Sequence, residues 1–305
     1  MNSIINILKP AGMTSHDVVS YVRKQLSGVK VGHTGTLDPA ASGVLPLCLG
    51  KATRLSSFLM EGVKDYRGEI TLGVTTDTLD GEGNILEINR EHSITPAEIP
   101  AVLQEFKGNI EQVPPLYSAI KHQGKRLYKQ ARKNMNVEPE SRSVTIFNIQ
   151  MEEYIEGSFP RIIFDVKCSH GTYIRSLAKD VGEKLGVGGH LSFLVRTTSG
   201  LLDLRNSITL ENFKLAIYNN ELEKVLLPMD FAVGHLKKII ILNAYIKYFI
   251  NGNFVKKDQV KVEDEDSQNE QELWRVYDQN EIFWGIGRWQ ETSQGLMLKP
   301  EKVLS

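Results

Sequence analysis

The sequence predicts an α+β protein in two units, a large mixed one followed by a small β-rich one. Length is the first observation: 305 residues exceed what one hydrophobic core usually serves, so a large domain with a smaller companion is expected. Helical and period-two apolar spacings alternate through residues 1–230, which is the second. The third is a change of texture near Leu227-Pro228-Met229-Asp230. From Lys237 onward short apolar runs alternate with turn signals, so residues 237–305 read as a separate β-rich unit. A composition of 41% hydrophobic and 24% charged residues can bury such cores and carries no disordered bias.

Taken in order, Ile4 to Leu8 reads as a strand and Ser15 to Leu26 as a helix, with Asp17 in its first turn and a Lys9-Pro10-Ala11-Gly12 turn between them. Val31 to Ser42 is rich in Gly, Thr, Ala and Pro and reads as a loop able to approach a ligand closely. Lys64 to Val74 is strand-like, with Tyr66, Ile70 and Leu72 on one face. Thr95-Pro96-Ala97-Glu98 reads as a capping box opening a helix that ends near Gly108. Strands are expected at Ser118 to Lys121, Val144 to Glu153 and Arg161 to Cys168, with a basic helix at Lys125 to Lys133. Thr172 to Leu185 reads as a helix that Gly186 to Gly189 ends. In the last unit, strands are expected at Ile239 to Leu242, Arg275 to Tyr277, Ile282 to Ile286 and Leu296 to Leu298, with one helix at Ala244 to Ile250.

No apolar stretch approaches the roughly 18 residues that spanning a bilayer requires. The first residues lack the basic region and long apolar run of a signal peptide, so the expected compartment is the cytoplasm. Cys48 and Cys168 lack CxxC spacing and read as reduced structural residues. Net charge is only -1, but it is unevenly spread. Residues 1–60 carry six Lys or Arg against two Asp, and residues 116–150 carry seven against two Glu, a distribution suited to an anionic partner.

Several chemistries fail on the residues. Gly50-Lys51-Ala52-Thr53 lacks the first glycine of a phosphate-binding loop, and Asp80-Gly81-Glu82-Gly83-Asn84 has Ile85 where a calcium loop needs glycine. The sequence offers neither metal-ligand spacing nor a GxSxG or GxGxxG element, so no cofactor or metal is expected.

The most informative segment is Gly32-His33-Thr34-Gly35-Thr36-Leu37-Asp38-Pro39-Ala40-Ala41-Ser42-Gly43-Val44-Leu45-Pro46. Read by itself, Asp38 caps a turn begun by Pro39, and the glycines supply backbone freedom. The segment also resembles the GHxGxLDPxAxGVLP signature of the tRNA pseudouridine 55 synthase family, the bacterial synthase B type. Further matches follow in family order: Lys9 to Ser15, Lys64 to Gly68, Thr76 to Gly81, Pro114 to Lys121, Gly171 to Leu177 and His190 to Leu194. The resemblance covers most of residues 1–230, with one departure at Val195, where the family often has a first of two arginines. That departure puts at most one phosphate contact in doubt.

The resemblance implies a pseudouridine synthase fold with a largely antiparallel central sheet, followed by a small RNA-binding β-barrel of the PUA type. It implies isomerisation of uridine 55 in the T loop of tRNA. It assigns Asp38 as the catalytic carboxylate, Tyr66 as the active-site tyrosine and Arg175 as the partner of Asp38. Leu194 becomes a pocket-lining residue, His33 an aid to displacing the base, and Asp80 a group that orients Arg175. Lys121 and the basic residues through Arg142 become phosphate contacts. The implied partner is the tRNA T stem-loop, with no membrane and no obligate protein partner. Two other classes compete: a glycosidic-bond hydrolase, which commonly uses a second carboxylate or a metal, and a noncatalytic RNA-binding protein, which needs no Asp, Tyr and Arg together.

Overall fold

The computed structural model describes residues 1–90, 94–117, 139–262 and 272–304, with the backbone alone of Lys121–His122 and Lys125–Arg126. The larger unit opens with β1 (Ser3–Lys9), whose buried Ile4, Ile5 and Ile7 follow from an apolar run covered on both faces. Helix α1 (Ser15–Gln25) follows. Its start is fixed by a capping box in which the Asp17 N–H donates to Thr14 Oγ1 (3.0 Å) and the Thr14 N–H to Asp17 Oδ2 (2.9 Å), worth about 1 kcal/mol. Next come β2 (Val31–His33) and β3 (Ser42–Leu49), so the segment read as a loop is a loop only between His33 and Ser42.

Strand β4 (Lys64–Leu72) buries alternate residues, as period-two spacing requires. A two-stranded ribbon of β5 (Val74–Thr76) and β6 (Ile85–Ile88) leaves it. Strands β7 (Gly108–Gln112), β8 (Lys121–His122), β9 (Lys125–Arg126), β10 (Arg142–Ile155), β11 (Arg161–Cys168), β12 (Gly189–Ser199) and β13 (Leu202–Asp203) complete the unit. Among the described residues the main sheet has nine strands, in the order β1-β3-β12-β4-β11-β10-β7, with β2 on β3 and β13 on β12. Every pairing is antiparallel except β3 with β12, where Ser42 and Gly43 lie parallel to Val195 and Arg196. Strand β12 therefore joins the two halves of the sheet, although its Gly-His opening and polar Arg-Thr-Thr-Ser end hide it from period-two reading.

Helix α2 (Ser56–Met60) is a single short turn region, and α3 (Ile99–Gln104) begins later than the Thr95–Glu98 motif suggests. Pro100 explains the difference. A helix opening at Thr95 would place Pro100 in its interior, where the ring clashes with the preceding turn, so the helix starts beside the proline. Only half the box remains, the Thr95 N–H donating to Glu98 Oε1 at 2.6 Å. Lys125 and Arg126 form a strand rather than opening a helix; the rest of that expected helix, and residues 118–120, lie outside the described residues. Helix α4 (Ile174–Lys184) packs on the sheet through Leu177, Ala178 and Val181. Gly182 is needed there, because a Cβ would come within 2.4 Å of the Gly188 carbonyl carbon. Helix α5 (Leu210–Tyr218) packs with α1 against β1 and β3.

The C-terminal sheet comprises β14 (Lys237–Ile241), β15 (Val255–Lys256), β16 (Val260–Val262), β17 (Leu273–Asp278), β18 (Phe283–Thr292) and β19 (Gly295–Val303), in the order β15-β19-β18-β17-β14-β16. Its edge strands β15 and β16 are joined by Lys257–Gln259 alone, which brings the edges together into a nearly closed barrel. With α6 (Ile246–Ile250), it encloses Ile239, Phe249, Trp274, Trp289 and Leu298. The two units share a further apolar cluster, in which Ile4, Val44, Leu55 and Val233 meet Ile286 and Leu304. Among the described residues no helix is long and apolar enough to cross a membrane.

Candidate active site

The loop between β2 and β3 carries Asp38, and side chains from three distant segments hold it. Ser15 Oγ, at the start of α1, donates to the Leu37 carbonyl (3.0 Å) and accepts from the Leu37 N–H (2.8 Å). Lys9, fully buried at the end of β1, donates through Nζ to the carbonyls of Pro10 (2.9 Å), Pro39 (3.2 Å) and Ala41 (2.6 Å). Burial pushes its pKa down to about 8, with Asp38 pulling the other way. Arg196 of β12 is 1% exposed; its Nε donates to the Val44 carbonyl (2.7 Å) and Nη2 to that of Gly35 (3.1 Å), spanning the loop's two ends. Gly43 permits this closure, since a Cβ would sit 2.2 Å from the Arg196 carbonyl oxygen.

Arg175, 5% exposed, reaches the same loop from the first turn of α4. That turn is sewn to β7. Buried Gln112 donates from Nε2 to the Tyr173 carbonyl (2.9 Å) and accepts the Tyr173 N–H (2.8 Å), and Ser176 Oγ donates to the Val113 carbonyl (2.7 Å). The Arg175 guanidinium pairs through Nε with Asp38 Oδ2 at 2.9 Å and through Nη1 with Asp80 Oδ2 at 3.4 Å. It also donates to the carbonyls of Thr78 and Tyr117, both at 3.1 Å. Asp80 is held in turn by the Thr78 hydroxyl (2.5 Å) and the Glu82 N–H (3.1 Å).

Asp38 itself remains 40% exposed toward the cleft. Crowding by protein atoms holds its pKa above the usual aspartate range, against Arg175, and the Asp80 carboxylate adds to the rise. Tyr66, on β4, is 9% exposed and lines the same cleft as Arg196. Burial raises its pKa, with Arg196 opposing, so the hydroxyl stays protonated.

A cleft of about 350 Å³ is lined by Asp38, Tyr66, Tyr117, Tyr173, Arg175 and Leu194, among others. A side pocket of about 190 Å³ shares Asp38, Arg175 and Leu194 with it and adds Asp80, Glu82 and Phe193. The structure thus brings together five of the residues singled out in the sequence: Asp38, Tyr66, Arg175, Leu194 and Asp80. His33 stands apart on β2, opposite Leu47, and lines neither cavity. Its Nδ1 is buried without a hydrogen-bond partner, and burial lowers its pKa, so the ring is neutral. The Lys121 side chain lies outside the described residues. Arg196, the residue after the Val195 departure, is a buried brace, its Nε and Nη2 engaged by loop carbonyls.

Residues 23–174 match the description "TruB family pseudouridylate synthase (N terminal domain)". Residues 175–234 match "tRNA pseudouridylate synthase B C-terminal domain", and residues 238–304 match "Pseudouridine synthase II TruB, C-terminal". The chain belongs to the TruB family of pseudouridylate synthases. It is therefore an isomerase of that family. The tRNA pseudouridine synthase B of Alkaliphilus oremlandii is 52% identical over 253 residues, covering 83% of this chain and 82% of the relative. That of Clostridioides difficile is 42% identical over 305 residues, covering 99% of each chain. Among solved structures, a Cbf5-Nop10-Gar1 complex aligns with a TM-score of 0.76 at 31% identity, covering 99% of this chain and 85% of that one. An H/ACA RNP bound to a substrate RNA containing 2'-deoxyuridine aligns at 0.74 and 28%, with the same coverage.

For a TruB chain, the arrangement offers a carboxylate oriented by a guanidinium, a protonated phenol and an apolar wall around a space open to solvent on one side. Among the described residues no group of three or more His, Cys, Asp or Glu could hold a metal ion. Sequence reading missed Gln112, Tyr117 and Tyr173. The last two lie inside quoted motifs, so proximity to Arg175 in the chain was a usable signal for Tyr173. Nothing local marks Gln112, which acts through a residue 61 positions away.

Proposed function

We propose that this chain converts uridine 55 in the T loop of tRNA to pseudouridine, with Asp38 as the catalytic carboxylate. The observation that carries the reading is the 2.9 Å Asp38–Arg175 pair at a cleft that also contains Tyr66 and Leu194. In the reaction the N1–C1′ bond breaks, the uracil turns, and a C5–C1′ bond forms; the C5 proton leaves and N1 gains one. No electrons are transferred, so ordinary side chains suffice. Asp38, kept oriented by Arg175, supplies the carboxylate at C1′, at the base or at a sugar proton. In this proposal Tyr66 and Leu194 flank the extruded ring, and the protonated Tyr66 hydroxyl exchanges a proton with the sugar.

Extrusion of the base costs a few kcal/mol, and His33, neutral and flat, would offset part of that by filling the vacated place. Lys121 and the neighbouring basic residues hold phosphates. The reading assigns residues 1–230 to chemistry and residues 237–305 to RNA affinity, works in the cytoplasm and requires no second protein. The relatives named tRNA pseudouridine synthase B support the tRNA substrate. The deciding experiment uses tRNA with tritium at uridine C5. Tritium release from a single T-loop position with an intact strand is expected. Release of free uracil would point to a hydrolase, and retention of all tritium on bound tRNA to a noncatalytic binder.

A further inference from the structure

We infer that Phe193 is a stacking platform for a base of the RNA that neighbours the reacting uridine, an inference that rests on the function proposed above. Strand β12 should bury every second residue, yet Ser192 and Phe193 are both exposed. The cause is a bulge. Against β4, Leu191 pairs with Ile70 and Phe193 with Glu69, leaving Ser192 as the extra residue. The bulge is anchored, since Ser192 Oγ donates to the Glu69 carbonyl (3.1 Å) and to Glu69 Oε1 (2.8 Å). Its effect is to turn Phe193 outward, 52% exposed, while the next residue, Leu194, stays 9% exposed in the catalytic cleft.

Phe193 lines the side pocket that shares Asp38, Arg175 and Leu194 with that cleft. At about 190 Å³ the pocket is below the ~300 Å³ at which whole-ligand pockets begin, so it suits one ring system rather than a nucleotide. Among the described residues of its lining, Asp38, Asp80 and Glu82 outnumber the single cation Arg175, an excess that disfavours phosphate and favours a base over the backbone. An exposed aromatic on a fixed bulge loses little freedom when a base covers it, and base–aromatic stacking contributes ~1–3 kcal/mol per base. Because the pocket shares Asp38, Arg175 and Leu194 with the cleft, the ring it would take when one uracil lies at Asp38 is that of an adjoining nucleotide.

The test uses T stem-loop hairpins in which each nucleotide flanking the target uridine is replaced in turn by an abasic residue. On the intact hairpin, Phe193→Ala and Phe193→Leu should raise KM roughly five- to 150-fold, the equivalent of one stacked base, with the loss in KM rather than kcat. Phe193→Trp should restore it, because a planar ring rather than apolar volume is required. One abasic hairpin should cost the parent enzyme the same factor and cost Phe193→Leu nothing further. A KM within twofold of the parent for Phe193→Ala, equal function of Leu and Trp, or additive losses on every abasic hairpin would overturn the inference. Failure of the parent enzyme to modify any hairpin or whole tRNA would instead overturn the proposed function. The thermal midpoints of the three variants, substituted at an exposed position, should match that of the parent.

Discussion

The Asp38 loop and the C-terminal barrel are held together in opposite ways. Around Asp38 the chain buries Lys9, Arg175 and Arg196 and satisfies them with backbone carbonyls and two carboxylates. The barrel buries Trp274, Trp289, Phe249 and Leu298. Its leading cations stay near the surface: Lys237 pairs with Glu272 at 3.0 Å, and Lys238 pairs with Glu281. Apolar burial is non-directional and tolerates small shifts, whereas buried charges work only at fixed geometry. The large sheet thus devotes its least forgiving interactions to orienting one carboxylate, and damage there should read out in turnover before it reads out in affinity.

The most severe break in this contrast is Asp38→Asn, which keeps the shape and removes the ionised group. Single-turnover tritium release should fall by at least about a thousandfold, while tRNA binding persists. Near-parental turnover would remove Asp38 from the mechanism. Arg175→Ala comes next. It leaves Asp38 and Asp80 without their shared cation, so turnover should fall by about a hundredfold or more. Breaking a buried pair typically costs about 3–5 kcal/mol, and the open side of Asp38 places this loss near the lower figure, measurable by urea unfolding.

The pH dependence is a smaller and sharper test. Asp38 has a folded pKa above its unfolded one, so its ionisation weighs against the folded state. That penalty is absent below the usual aspartate range and complete above the raised value. In the proposed mechanism Asp38 acts in its ionised form, so the acid limb of the single-turnover profile should lie above the usual aspartate pKa. The thermal midpoint of Asp38→Asn should gain on the parent as pH rises through the same window. A limb at or below the ordinary value would show that Arg175, not burial, dominates.

The smallest effect is expected in the barrel. Lys256, Lys257 and Lys261 are exposed, and replacing them with Ala should lower the salt slope of tRNA binding by about one for each phosphate no longer neutralised, with the chemical step unchanged. Point changes are preferable to truncation at Lys237. Cutting there would strip Ile286 and Leu304 from the cluster they share with Ile4 and Val44, so a fall in stability would mask a fall in affinity.

Much of this was legible because local rules and the fold agree. Arg161 to Cys168 alternates cleanly and is a strand at those bounds. The capped start of α1 and the alternation of β4 follow from their residues in the same way. What escaped reading depended on remote partners. Arg196 looks like a solvent cation until β12 is laid beside β3, and Lys237 looks free until Glu272 is placed against it. The start of α3 was misjudged because the influence of Pro100 outweighs a cap motif five residues earlier. For the site, motif order pointed to Asp38, Tyr66 and Arg175, which the fold gathers at one cleft, while the residues that hold their surroundings, Gln112 and Arg196, carry no local mark.

The brace from Arg196 to Gly35 spans 161 residues, and the brace to Val44 spans 152. On a ribosome adding roughly 5–20 residues per second, the Asp38 loop emerges early and then waits roughly 8–30 seconds for the strand that closes it. Contacts of such long range also slow folding, because the closure entropy must be met before they reward it. A nascent chain that already displays Asp38 therefore lacks the brace on both ends of its loop until β12 has been made and docked. In the proposed mechanism, competence for chemistry is thus a late event in synthesis.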